Sequence, residues 1–159
     1  MTDLIFGTRS PARRSSLTNS VPEDRVTSGA ELQSGTLSDI GLILFNNSPM
    51  ISFHDARHIA HANPDEFLLC RQIAGSALVM QGDREAALDP GDTTLVDPRR
   101  LCTTKFFMGS RMLVLKIPRG GLEARIGAAQ GVTAYRLRPM DAETSLMSAF
   151  LGCRAMRDD

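Results

Sequence analysis

Net charge is the first thing this 159-residue chain lacks, since 18 Lys and Arg balance 18 Asp and Glu. With no overall field of either sign, it has no electrostatic case for non-specific binding along nucleic acid. Long apolar runs are missing as well, none approaching the ~18 consecutive residues of a membrane span. The N-terminus carries Arg9, Arg13 and Arg14 but has neither the apolar block nor the small-residue cleavage site of a secretory signal. Cysteine is scarce: Cys70, Cys102 and Cys153 are odd in number, far apart and without CxxC spacing. They read as buried reduced thiols, and a cytoplasmic location is expected. No nucleophile elbow, phosphate-cradling loop or dinucleotide fingerprint occurs, and neither does an internal repeat or a coiled-coil heptad.

What is present is a chain 42% apolar, long enough for one domain that buries roughly two-thirds of its unfolded surface. The balanced charge conceals a polarity along the sequence. Residues 1–28 hold 4 basic and 3 acidic groups, 29–98 hold 3 and 10, and 99–159 hold 11 and 5. The middle is therefore acidic and the final third basic, and the plainest way to reconcile them is by ion pairs within the fold. Residues 1–28, rich in Ser, Thr, Pro and Arg without a sustained period, read as a poorly ordered arm.

From Ile40 onward short apolar runs alternate with turn signals. The runs are Ile40 to Phe45, Met50 to Ala60, Phe67 to Ile73, Ala77 to Met80, Glu85 to Leu88, Thr93 to Val96, Thr103 to Phe107 and Arg111 to Ile117. Eight or nine strands of this length and spacing predict a mainly β protein, a sandwich, barrel or jelly roll. Gly82-Asp83 sits where a tight hairpin should, and Pro90-Gly91-Asp92 turns the chain into the next strand. Two helices are expected towards the C-terminus. Arg119 to Ile126 places Leu122 and Ile126 four apart on one face, and beyond the N-cap Asp141 an apolar stripe runs through Leu146, Met147, Phe150, Leu151 and Met156.

Several pieces in order resemble one family: Arg57-His-Ile-Ala60, Phe67 to Gly75, Gln81-Gly-Asp-Arg-Glu85, Leu88-Asp-Pro-Gly-Asp92 and Val114-Leu-Lys-Ile-Pro-Arg119. Over about Glu31 to Leu151 they resemble the N-terminal, cupin-like regulatory domain of AraC-type transcription regulators. The resemblance implies a jelly-roll barrel that senses a small effector, then a helical linker used in dimerisation, then two helix-turn-helix units that bind DNA. The chain departs from the pattern in having no Trp, in starting with a polar arm, and at Arg100-Leu101-Cys102, where the family tends to Arg-Pro-aromatic. Only Gly152 to Asp159 follow the expected linker helix, and eight residues hold no DNA-reading helix. The organisation expected is thus an arm over 1–28, a cupin-like sensor over 29–127 and a linker with a dimerisation helix over 128–159. No helix-turn-helix and no direct DNA binding are expected of it, as for a sensor excised from a longer regulator, a truncated product or a stand-alone descendant.

Catalytic chemistry finds little footing. His54, His58 and His61 have helical spacing that a metal could use, but the apolar residues around them favour a strand, which would separate them. Enzymatic cupins have a His-x-His and a later His after the Pro-Gly-Asp turn, and neither occurs here. No metal, cofactor or catalytic residue is therefore expected, and Asp92 reads as a structural turn residue. A ligand cavity is the remaining candidate, lined by Phe53, Phe67, Leu69, Met80, Phe106 and Met112 with Phe45. Arg71 falls on the same alternating face as Phe67 and Leu69. If that face points inward, the guanidinium calls for an anionic group on the effector. The stripe Leu146, Met147, Phe150 and Leu151 points to a weak homodimer. The rivals to this sensor are a small cupin-type metalloenzyme and an interaction protein that pairs with a full-length regulator.

Overall fold

The structure is a computed structural model that describes residues 5–6, 19–22, 30–37 and 40–138. Its strands are β1 Ile5–Phe6, β2 Asn19–Pro22, β3 Ala30–Leu37, β4 Ile40–Asn47, β5 Met50–His54, β6 Glu66–Ala74, β7 Ala77–Gln81, β8 Arg84–Leu88, β9 Thr93–Val96, β10 Cys102–Phe106 and β11 Ser110–Pro118. They form two sheets in the orders β1-β3-β4-β11-β6-β9 and β2-β5-β10-β7-β8. All the ladders between these strands are antiparallel, and the mainly β, jelly-roll expectation holds.

Sequence alternation decides what each sheet buries. Ile43, Cys70, Val96, Met112 and Val114 of the first sheet meet Met50, Ala77, Val79, Ala86, Leu88, Cys102 and Phe106 of the second in one core, the barrel interior. The outer face of the first sheet has a core of its own, where Phe67, Leu69, Leu95 and Ile117 are roofed by Leu122 and Ala129. These last two come from helix α2, Arg119–Ile126, and from a 3-10 turn at Ala129–Val132. Leu122 is buried as the sequence expects, whereas Ile126, four residues on, is exposed.

Turn chemistry fixes the register. Gln81 pairs with Arg84 across Gly82-Asp83, and Gly82 has φ +66, the arrangement of a two-residue hairpin with glycine in its first central position. Gly75, at φ +70, carries the chain from one sheet to the other, and a Cβ there would run into the carbonyl oxygen of Gly109. Asp92 does accept from a turn amide, that of Asp89 at 2.8 Å.

Three features differ from the sequence reading. The run Met50 to Ala60 is a strand only as far as His54. Asp55 then accepts from the amides of Arg57 and His58, and α1 spans Ala56–His61. A local side-chain cap overrides the apolar alternation on which the strand reading rested. Within residues 1–28, two short segments take strand structure from the sheets, β1 against β3 and β2 against β5. A segment with no apolar period of its own can be ordered in this way by a sheet edge. Past residue 127, bridges Thr93↔Leu137 and Leu95↔Thr133 attach the chain to β9, so the packed unit runs on to residue 138. Strand β3, where polar residues interrupt the alternation, was not legible. The expected helix with Leu146, Met147, Phe150 and Leu151 lies outside the described residues.

One end of the barrel is fastened by a buried ion pair. Asp97, fully buried, receives Arg119 Nη2 at 2.7 Å and Arg99 Nη2 at 3.1 Å. Arg119 also donates to the carbonyls of Pro64 and Glu66, at 2.7 and 3.2 Å, and lies 3.7 Å over the Phe67 ring. The Asp97 backbone is held in turn by the buried Gln81 amide, at 2.9 and 3.0 Å. Burial alone would raise the Asp97 pKa, but the hydrogen bonds from Arg99 and Arg119 outweigh it and hold the group below the ordinary carboxylate value. A lowered folded pKa gives stability that is full above the unfolded value, ~3.9, and lost as pH falls through the folded one. Arg119→Leu should cost ~3 kcal/mol in urea unfolding at pH 7, because it leaves a buried carboxylate short of its partner. Arg99→Ala should cost under ~1 kcal/mol, as Arg99 is substantially exposed. The gap between the two variants should shrink as pH falls from ~3.9 through the lowered folded pKa of Asp97, because the unfolded carboxylate takes up its proton first.

Candidate functional site

The barrel interior is the concave element of the fold, and its two ends differ chemically. At the end of the Asp97 pair every partner is found. At the opposite end, where β4–β5, β6–β7, β8–β9 and β10–β11 cross between sheets, four polar side chains point inward from the first sheet. Alternation with Phe45, Met112, Cys70 and Val96 puts Asn47, Ser110, Gln72 and Thr94 on the interior face. The ladders set them side by side: Asn47 lies opposite Ser110, Gln72 opposite Met112, and Thr94 opposite Cys70. Gln72 Nε2 donates to Ser110 Oγ at 2.6 Å and to the Ala74 carbonyl at 2.8 Å. All four are buried.

Of the seven apolar residues the sequence assigned to a cavity, Phe106 and Met112 belong to the barrel interior and Phe45 packs, partly buried, against it. Phe67 and Leu69 belong to the outer core beneath α2, and Arg71 shares their face of β6. Phe53 is exposed on the outer face of the second sheet, and Met80 lies on that same face, one strand beyond its neighbour Thr103. Arg71 therefore does not supply a cation to the barrel interior, and the ground for an anionic effector is gone. Alternation correctly grouped Arg71 with Phe67 and Leu69. What it could not reveal is that both faces of β6 are apolar, because helix α2 covers the outer one. The inward polar strip was the opposite face of the same strand.

The histidines do not assemble a metal site. His54 ends β5, buried, with Nε2 2.7 Å from the Pro98 carbonyl, so this nitrogen carries the proton. His58 meets Asp55 Oδ1 at 2.7 Å within the helix cap, and His61 Nδ1 meets the Arg57 carbonyl at 2.8 Å. Among the described residues no three His, Cys, Asp or Glu side chains stand close enough to share an ion. The strand expected to separate the histidines is replaced by a helix, yet each ring is engaged with its own partner.

Cys70 and Cys102 face one another's sheets inside the core and carry free thiols. Burial, then the neighbouring Cys102, pushes the Cys70 pKa up to about 12, and burial pushes Cys102 to about 11. Thiols held this far above neutrality contain almost no thiolate, which is the reactive form. Iodoacetamide at pH 8 should leave both unmodified in the native protein and alkylate both in urea, as peptide mass mapping would record. Native modification of either would mean that the barrel opens at that edge.

Comparison with known proteins places this geometry. Residues 22–153 match the family described as AraC-binding-like domain. An uncharacterized protein in the nit 5′ region of Bacillus sp. (strain OxB-1) is 33% identical over 95 residues, 60% of this chain. The chain spans 37% of that relative's length. Among solved structures, the AraC-like transcriptional activator CuxR superposes with a TM-score of 0.72 over 98% of this chain and 68% of that one, at 14% identity. That likeness is one of fold. A putative ethanolamine utilization protein Q from Salmonella typhimurium LT2 has a TM-score of 0.47 at 10% identity, over 71% of this chain and 99% of that one. The match across the barrel and the segment that follows it is sufficient: the chain belongs to the AraC-binding-like domain family.

Proposed function

We propose that this chain is the effector-sensing and dimerising part of an AraC-type transcription regulator, with DNA read by helices other than those described. The observation that carries the reading is the family match itself, which takes in strands β3 to β11 of the jelly roll and the segment beyond them. The enclosed interior, with a polar strip buried at one end, is where a small molecule would be sensed. Among the described residues no helix is long and apolar enough to cross a membrane, in keeping with a regulator-type domain. The reading is tested by a thermal-shift screen of the purified chain against a broad small-molecule library. A ligand present at 100 times its Kd adds ~2.7 kcal/mol, about 5–10 °C in Tm for a domain of this size. Nanomolar, sequence-specific DNA binding by the chain with no small-molecule response would overturn it.

Dimerisation is assigned to the stripe Leu146, Met147, Phe150 and Leu151, which the sequence spaces as one face of a helix. A helix following the barrel can set the separation of two DNA-reading halves when it pairs about a two-fold axis. One such helix per partner buries less than the ~800 Å² a side of a standard interface, so the pairing is weak. Sedimentation should show concentration-dependent association that Leu146→Glu with Phe150→Glu abolishes while the barrel's circular dichroism is unchanged. A double mutant that unfolds instead assigns those residues to the monomer.

A further inference from the structure

Three oxygen atoms at the polar end of the barrel are buried without any hydrogen-bond partner: Asn47 Oδ1, Gln72 Oε1 and Thr94 Oγ1. Their residues are 7%, 0% and 0% exposed. Such groups are almost always paired in folded proteins, so three together on one interior face call for a common explanation. The amide orientations are fixed by the structure itself. Gln72 Nε2 and Asn47 Nδ2 each donate to a backbone carbonyl, of Ala74 at 2.8 Å and of Ser48 at 3.2 Å, and a carbonyl can only accept. Turning either amide over would set two acceptors against each other. The amide oxygens are therefore the atoms left unpartnered, and the strip presents two acceptors in search of donors beside a Thr94 hydroxyl that can do either.

The register keeps them within reach of one molecule. Thr94 is opposite Cys70, two residues from Gln72, so Thr94 and Gln72 are diagonal cross-strand neighbours. Gln72 touches Ser110 directly, and Ser110 faces Asn47. The opposite wall is apolar. The short connections at this end bring up Met50, Phe106, Ala77 and Leu88, which are in register with one another on the second sheet and belong to the same core. This end of the interior is amphipathic, with polar oxygens on one side and hydrocarbon on the other. No cation projects from this strip and its only free donors are hydroxyls, so a carboxylate placed here would bring a full charge against two amide oxygens and apolar carbon.

We propose that this end of the barrel is an effector subsite for a small amphipathic molecule with a hydrogen-bond-donating head, an alcohol or an amine. The head is held by Gln72 Oε1, Thr94 Oγ1 and Asn47 Oδ1, and the apolar body lies against Met50, Phe106 and Leu88. This deepens the sensor reading and rests on it, naming the chemical class that the interior selects. Alcohol and amine share the donor chemistry, and experiment separates them.

The test uses the whole chain and three probes with one body and different heads: benzyl alcohol, benzylamine and benzoate, each titrated by calorimetry and by thermal shift. The expected result is saturable binding of the alcohol or the amine, whichever head the strip takes, with benzoate at least tenfold weaker. Thr94→Val, which keeps the shape of the side chain and removes only the unpartnered hydroxyl, should fold with an unchanged or higher Tm and bind the donor probe at least tenfold more weakly. Gln72→Met provides a second variant with the same expectation for binding. Benzoate binding as tightly as the donors, or donor binding unaffected in Thr94→Val, overturns the subsite while leaving the sensor reading in place. A lowered Tm in Thr94→Val with no probe bound means that the hydroxyl serves an internal water, and also overturns it. If the broad library gives no ligand of any class, both the subsite and the sensor reading fall.

Discussion

The architecture depends on a single carboxylate. Asp97 stands where β9 ends, and it is the shared partner of Arg119, which opens α2, and of Arg99 in the next connection. Through Arg119 the same interaction fixes the carbonyls that lead into β6 and flattens a guanidinium over Phe67. Gln81 ties the β7–β8 hairpin to the Asp97 backbone from the other sheet. A buried charge pair rarely adds much over a hydrophobic substitute, but it admits very few geometries. Here it specifies how the two sheets, the outer helix and one barrel end are set against each other.

The same logic accounts for the charge distribution along the chain. Asp89, Asp92 and Asp97 come from the acidic middle, and Arg99, Arg119 and Arg136 from the basic final third. Segments of opposite sign that look like separate surfaces in the sequence are brought together by the fold. Arg136 reaches Asp92 at 2.7 Å and Asp89 at 3.0 Å, closing the Pro-Gly-Asp turn from outside. That turn stabilises the architecture, and its carboxylate is spent on an amide and a guanidinium.

Strand lengths and turns were legible because Gly82, Gly75 and the Pro90-Gly91 corner interrupt apolar runs of strand length. The family could be read because its motifs coincide with those same corners. The site was less legible for a reason specific to β6, where Phe67, Leu69 and Arg71 alternate with Leu68, Cys70 and Gln72 and both sets are covered. Period two separates the faces but does not say which is the inner one. That answer lies in α2, which roofs Phe67 with Leu122 from more than fifty residues away. Similarly, nothing short-range in the sequence tells that Asp55 caps a helix rather than ending a turn, since Ile59 and Ala60 suit a strand equally well.

The segment after α2 leaves the barrel between two arginine clamps. Arg84, from the β7–β8 hairpin, grips the carbonyls of Gly131 and Gln130 at 2.6 and 2.8 Å, and Arg136 is anchored to the β8–β9 turn. Thr133, between them, and Leu137, just past Arg136, are bridged to β9. The β8–β9 turn also carries backbone bonds to Gln72, from its amide to the Asp92 carbonyl and from the Gly91 amide to its own carbonyl. The outgoing chain is thus a taut cord with one knot at each end of the barrel. Gln72 reaches the far knot through two backbone hydrogen bonds, so the buried polar strip and the last described stretch of chain share one turn.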